Sequence, residues 1–475
     1  MLNRVTLNRE VLARDPSSYR LADGGVAKVS FPPDDDQKAI LREQLQTFVC
    51  EGAYAEGLRR ILEAFNGAAG RKVDTPAAWV SGFYGSGKSL LAAMLGALWT
   101  NLRFDDGATA EGLIHDMPGE VRAALRELRT KAKQFGGLAV GGSTLGLGSQ
   151  HPVKAVLEVI FRAAGLPIGT DLRPSLVALW LAEEGVLDAV RTALDADFED
   201  ALGEFLLDDR LAVAALAAKP SLARDADTLM DRLGKQFERE PEPTVELMVE
   251  KAQKALTLGG RDIPLTLVIL DEVQQFLRQD PALSLTIQTI AEQLASKFKG
   301  RVLLVCTGQS ALGDVAFLSR LLGRFPVPVA LGSADIQSVV RKTVLLKKDA
   351  ARPAVEEMLA LRSGRSTSTS TARRSSAQRP TVLSRPRTGP SSRPAAGCGR
   401  VLAELDKSGL GATLRGQLRL TLDAVRTYGD RPLGVAVPAD FLFDTFAAEA
   451  LSRQLISRDI YDRIAALRAQ PATAP

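Results

Sequence analysis

The stretch Ala77-Ala78-Trp79-Val80-Ser81-Gly82-Phe83-Tyr84-Gly85-Ser86-Gly87-Lys88-Ser89 decides the fold of this 475-residue chain. Ala77 to Val80 reads as a short buried strand, and Leu90 to Trp99 as an apolar helix. Between them Gly82-x4-Gly87-Lys88-Ser89 has the spacing of a phosphate-binding loop, in the context that loop requires, after a strand and before a helix. Glycines let the backbone turn tightly enough for successive N–H groups to face phosphate oxygens. The positive end of the following helix faces the same anion. On this reading Gly82, Phe83, Tyr84, Gly85, Ser86, Gly87, Lys88 and Ser89 bind ATP. Lys88 reaches the β- and γ-phosphates, and the Ser89 hydroxyl takes a position on Mg2+. The competing reading is a glycine-rich turn with an incidental lysine, and the flanking strand and helix argue against it.

Leu265 to Leu270 is a continuous apolar run, as expected of a parallel strand buried on both faces. It ends in Asp271-Glu272, at the strand end where ligands sit in an open α/β sheet. Asp271 is expected to hold Mg2+, directly or through water, and Glu272 to polarise the attacking water. Glu272 beside Asp271 points to hydrolysis rather than binding alone. Val302 to Cys306 reads as another buried strand, with Cys306 as packing, and ends in Thr307-Gly308-Gln309. In P-loop ATPases with a strand inserted between the two motif strands, a polar residue at this end lies near the γ-phosphate and the water. Thr307 and Gln309 are the candidates. A helix over about 310–323 is expected to lead to Arg324-Phe325-Pro326 and a further apolar run, Val327 to Leu331. Arg324 is the candidate to reach a neighbouring subunit's nucleotide and stabilise transition-state charge; the alternative is a surface arginine. Arg341 reads as part of a solvated basic face more than as a phosphate contact.

Around this core, 1–36 carries turn signals and reads as an arm, and 37–66 reads as helix. Residues 100–135 look helical, Leu138 to Val140 a strand, and Gly141 to Gly148 a loop rather than a second phosphate site, since no Lys-Ser/Thr follows. Residues 152–258 read as helices broken at Pro167, Pro174, Pro220 and Pro241. Further helices are expected at 281–298, 335–361, 401–428 and 438–468. Trp79 and Trp99 read as core, and the acids from Glu183 to Asp200 as solvated helix faces. The fold class is therefore α/β: a three-layer αβα P-loop NTPase core with a large helical insertion at about 150–258, followed by a helical domain. The segments are an arm with helices (1–66), the core (67–334), a lid-type helical segment (335–361), an Arg/Ser/Pro-rich stretch (362–400) and a helical C-terminal segment (401–475).

Charge sharpens that division. The chain carries a net +4, but 362–400 holds nine arginines and no other charged residue, so the remainder is five units negative. Three readings of that stretch stand: a flexible linker, a basic arm touching nucleic-acid phosphates, or a short out-of-frame translation of a G+C-rich gene. The bias of 43 Arg to 17 Lys fits such a gene. Three scattered cysteines exclude a disulfide scaffold, and two histidines leave little for a histidine-ligated metal. With no apolar run of membrane-spanning length and no apolar leader core, the chain reads as cytoplasmic, with no membrane contact.

Several segments together resemble the large P-loop ATPase of BREX phage-defence systems, the BrxC/PglY family. They are Arg14-Asp15-Pro16-Ser17-Ser18-Tyr19-Arg20 through Val29, Phe48-Val49-Cys50-Glu51-Gly52-x-Tyr54, and Trp79 through Ser89. Further on they are Val268 through Gln275, Thr307 through Leu312, and Arg324-Phe325. The resemblance covers about 1–350 and resumes at about 401–465. It implies an AAA+-like ATPase that uses ATP and Mg2+ and acts in an anti-phage complex with a DNA methyltransferase and a phosphatase-like protein. It also implies contact with DNA, directly or through partners, and a homo-oligomer. Residues 362–400 do not resemble the family, whose members are typically more than twice this length, so the chain reads as a truncated or gene-disrupted member. A nucleotide-switched scaffold or a DNA-binding protein with little or no turnover is the alternative.

Overall fold

The computed structural model describes residues 7–16, 29–71, 77–83, 85–144, 151–169, 171–274, 277, 280, 282–313, 315–332, 334–360, 414–435, 437, 441, 444–445, 447, 451 and 457–469. The stretch 362–400, Tyr84 and most of Arg14 to Val29 therefore lie outside the described residues. The chain divides into two compact units. One comprises Met1–Asp23, Tyr84–Ser86 and Ser333–Pro475; the other comprises Gly24–Phe83 and Gly87–Gly332.

The second unit is α/β. Five parallel strands, β1 (Ala77–Gly82), β2 (Leu138–Thr144), β3 (Leu265–Asp271), β4 (Val302–Gly308) and β5 (Val327–Leu331), lie in the order β2-β3-β4-β1-β5. The strand that follows Glu272 in sequence is thus inserted between the strands that end in the glycine-rich loop and in Asp271. Every residue of β3 and β4 is buried, as parallel strands covered on both faces must be.

Two adjacent glycines show how the two faces are covered. A Cβ on Gly141 would lie 2.2 Å from the Val159 carbonyl of a helix over Pro152–Ala163. A Cβ on Gly142 would instead meet Val29, Phe31 and Ile269 on the opposite face. Helix α3 (Lys88–Thr100) packs across β2, β3 and β4, and its Gly96 lies against the same Phe31. Gly141 and Gly142 are therefore strand residues that admit close neighbours, where sequence reading makes them a loop. Trp79 and Trp99 are fully buried, and the Trp99 indole donates to the Leu265 carbonyl at 3.0 Å.

The run expected as one helix over 37–66 is two, α1 (Asp35–Thr47) and α2 (Gly52–Ala68). Asp34 caps α1 by accepting from the Gln37 N–H at 2.8 Å. The break places Phe48 and Cys50 in the core, and Gly52 has φ +54, outside a right-handed helix. Residues 100–135 are not one helix either. Asn101 ends α3 in the left-handed conformation, Arg103 bridges Thr109, and helices resume at Ala110–Leu113 and Gly119–Ala132. The insertion between β2 and β3 is helical from Pro152 to Leu256. Pro174 does not break it. It sits in the first turn of Leu172–Glu183, where a missing N–H costs no helical hydrogen bond. The expected helix at 310–323 shrinks to Ala316–Ser319 and a 3-10 turn, Leu322–Arg324, between Gly313 and Phe325.

The first unit is helical. Ala334–Thr343 is helical, the chain then bridges Leu12 through Lys347, and helix resumes at 352–360 rather than running unbroken over 335–361. Leu12, Val344, Leu422 and Val425 form its apolar cluster, the last two from helix Leu414–Tyr428. Helix Arg458–Ala469 closes the described chain. Among the described residues no helix is long and apolar enough to cross a membrane.

Candidate nucleotide site

Parallel register brings the motif ends together at the carboxyl-terminal end of the sheet. Val80 lies opposite Thr307 and Ser81 opposite Gly308, while Leu270 lies opposite Cys306. Asp271 is therefore level with Thr307, and the loop after Gly82 leaves the sheet beside them. With neighbouring strands about 4.8 Å apart, the β1 and β3 ends stand about 10 Å from each other across β4.

The loop between β1 and α3 takes the conformation its glycines permit. Gly85 and Gly87 have φ +77 and +89, in the left-handed region. Gly87 is also the N-cap of α3. It offers no capping side chain, and the first turn of α3 carries no acid of its own. A Cβ on Gly87 would come 2.5 Å from the Tyr54 hydroxyl. Tyr54 is buried on α2, edge-on to Phe48 at 5.8 Å, and it backs the loop. Motif spacing does not disclose that role; the only sequence signal is the resemblance carried by Phe48 through Tyr54.

The Lys88 ammonium folds onto the loop, donating to the Gly82 carbonyl at 2.8 Å and the Phe83 carbonyl at 3.0 Å. Burial lowers its pKa, while Asp271 and then Glu272 act in the opposite sense. Ser89 follows in the first turn of α3, partly exposed, and Ser86 is buried.

At the β3 end Asp271 is 2% exposed. The Thr307 hydroxyl donates to Asp271 Oδ1 at 2.5 Å and accepts from the Glu272 N–H at 2.9 Å. Thr307 is wholly buried, so its hydroxyl holds the two acids rather than facing solvent. Glu272 has φ +60, a left-handed backbone that costs a non-glycine residue about 1 to 2 kcal/mol. The bond from Thr307 is one of the contacts that keep it there. Burial first, then the Asp271 carboxylate, pushes the Glu272 pKa up, and Lys88 partly offsets this. Gln309 lies just past β4, partly buried.

Arg324 is engaged elsewhere. Its Nε pairs with Glu292 Oε1, which also accepts from Gln288 at 3.2 Å. The guanidinium beside Glu292 holds that carboxyl below its usual range. The guanidinium is 40% exposed and lies against its own chain's helix Leu283–Lys297. Arg341 is exposed in the other unit. Cys306 is fully buried and its thiol pKa is pushed up by that burial, consistent with packing.

Among the described residues no group of three or more His, Cys, Asp or Glu could hold a metal ion. Ser89 and Asp271 still fit Mg2+, a hard cation that is satisfied by one or two protein oxygens with phosphate oxygens and waters. No protein-family model matches the chain, and no solved structure gives a significant match.

Proposed function

We propose that the chain is a Mg2+-dependent ATPase with an AAA+-like P-loop core. We propose further that it acts in a BREX-type anti-phage complex with DNA methyltransferase and phosphatase-like partners, on DNA and as a homo-oligomer in the cytoplasm. The observation that carries the enzymatic part is the strained Glu272, level with the phosphate loop and fixed by Thr307. A strand end that served only as a solvated terminus has no use for a left-handed glutamate tied to a buried threonine.

On this reading Lys88 exchanges the Gly82 and Phe83 carbonyls for the β- and γ-phosphate oxygens. The first-turn N–H groups of α3 meet the same anion. Ser89 and Asp271 would hold Mg2+, which supplies charge neutralisation to the phosphates. Glu272 orients the attacking water and accepts its proton, a task a raised pKa suits. The partners and the defence role rest on the resemblance alone. Arg324 serves a neighbouring subunit only once Glu292 has released it.

The nucleotide site is tested by Lys88→Ala. Calorimetric titration with ATP and Mg2+ should show tight binding by the wild type and none by the variant; wild-type-like binding by the variant refutes the site.

A further inference from the structure

Gln274 lies two residues past Glu272 and is 1% exposed. Its carboxamide pairs reciprocally with Ser310, just past β4. Gln274 Oε1 accepts from the Ser310 N–H at 2.7 Å, and Nε2 donates to Ser310 Oγ at 3.1 Å. The backbone donor fixes which end of the amide is oxygen. The Ser310 carbonyl in turn accepts from the Trp79 indole at 3.0 Å. Gly308 is locked into the same knot, since a Cβ there would lie 2.2 Å from the Trp79 ring and 3.1 Å from Gln274 Oε1.

The turns after β3 and β4 are thus cross-tied twice. One tie is Glu272 and Asp271 to Thr307; the other is Gln274 to Ser310. Gln309 lies between Thr307 and Ser310 in sequence, and Glu272 between Asp271 and Gln274. Trp79 carries the second tie across to β1, the strand that leads into the phosphate loop. Leucine at position 274 would fill the same space but leave the Ser310 N–H without this acceptor, so the carboxamide does more than fill volume. A carboxamide with both ends satisfied fixes geometry.

We propose that Gln274 is a positioning residue for ATP hydrolysis, setting Glu272 and Gln309 against the phosphate loop through Ser310. The proposal rests on the ATPase reading above. Removing this tie leaves the Asp271–Thr307 bond and the Lys88 loop intact, so nucleotide binding survives while the placement of the water-orienting groups loosens.

The test is Gln274→Leu, which keeps the volume and deletes both bonds, alongside Ser310→Ala and the double variant. Steady-state phosphate release, calorimetric binding of a non-hydrolysable ATP analogue and thermal melting are measured on the full chain. Gln274→Leu should lower kcat about 30-fold with KM and the analogue's Kd within about twofold, as expected when a reacting geometry loosens by a fraction of an ångström. Ser310→Ala should lower kcat about threefold, and the double variant should fall no further than Gln274→Leu, because the two act as one unit. An unchanged kcat, a kcat loss matched by weaker analogue binding, or a loss equal to the unfolded fraction overturns the proposal. If Gln274→Leu does not fold, Ser310→Ala decides, and an unchanged kcat there overturns it. Hydrolysis by the wild type with any of these failures refutes the role of Gln274 alone. Absence of hydrolysis in the wild type overturns both readings.

Discussion

The proposed mechanism puts its water-activating step on one residue, Glu272. Its left-handed backbone, its bond to Thr307 and its raised pKa have a common origin: a strand buried up to Asp271 must deliver the next carboxylate sideways, close to a second carboxylate. The pH dependence follows with its sign. A water-orienting base works only when ionised, and a raised pKa means protonation begins at higher pH. The acid limb of kcat/KM, which reports the free enzyme, should therefore fall above the ordinary glutamate value of about 4.3. A profile flat down to that value would show that Glu272 does not titrate in the rate-limiting step. Lys88, Ser89, Asp271 and Glu272 stand out as candidates from spacing alone, because strand–loop–helix and strand–acid–acid patterns are local. Thr307 was legible as a polar strand end, but its bonds to both acids needed the register of β3 on β4. Tyr54, Gln274 and Ser310 act across 30 or more positions of sequence, and no periodicity points to such contacts.

Elements followed their apolar patterning where that patterning was strong. All five strands stand where apolar runs placed them. The errors came from local backbone signals that override periodicity. Asn101 ends α3 and Gly52 opens α2 in left-handed conformations within runs that look continuous, and Pro174 is harmless in a first turn. The glycine-rich stretch from Gly141 reads as a loop, with no Lys-Ser/Thr to make it a phosphate site; in the structure Gly141 and Gly142 each admit a neighbour on their own face of β2. Two substitutions separate packing glycines from incidental ones. Gly141→Ala forces a Cβ onto the Val159 carbonyl and should destabilise by about 2 kcal/mol, as overpacking does. Gly67→Ala on α2 meets nothing within 4 Å and should stabilise by about 0.5 to 1 kcal/mol through helix propensity. Denaturant midpoints moving in opposite directions would bear this out, and equal shifts would not.

At the scale of the whole molecule, charge and chemistry separate. The nine arginines of 362–400 make the chain basic, while the nucleotide-site residues lie in the five-units-negative remainder. Deleting 362–400 should leave ATP affinity within about twofold of wild type, because on the proposed reading the short-range contacts of the Gly82–Ser89 loop carry the binding and salt screens charge that makes no such contact. If those arginines contact nucleic acid, the same deletion lowers DNA affinity and flattens its salt dependence. Unchanged DNA affinity and slope would assign the stretch no such role. The insertion from Pro152 to Leu256 was legible as helical from composition. Its purpose was not, because a helical fold by itself assigns no function.

The central claim is that Glu272 converts a nucleotide-binding loop into a hydrolase. Glu272→Gln keeps the size and the backbone N–H that bonds Thr307 but removes the charge that orients water and takes its proton. Phosphate release and ATP affinity measured on the same preparations test it directly. The wild type should release phosphate in Mg2+, Glu272→Gln should lose about 100-fold or more of that rate, and the ATP Kd should stay within about threefold. Equal phosphate release by wild type and variant would contradict it.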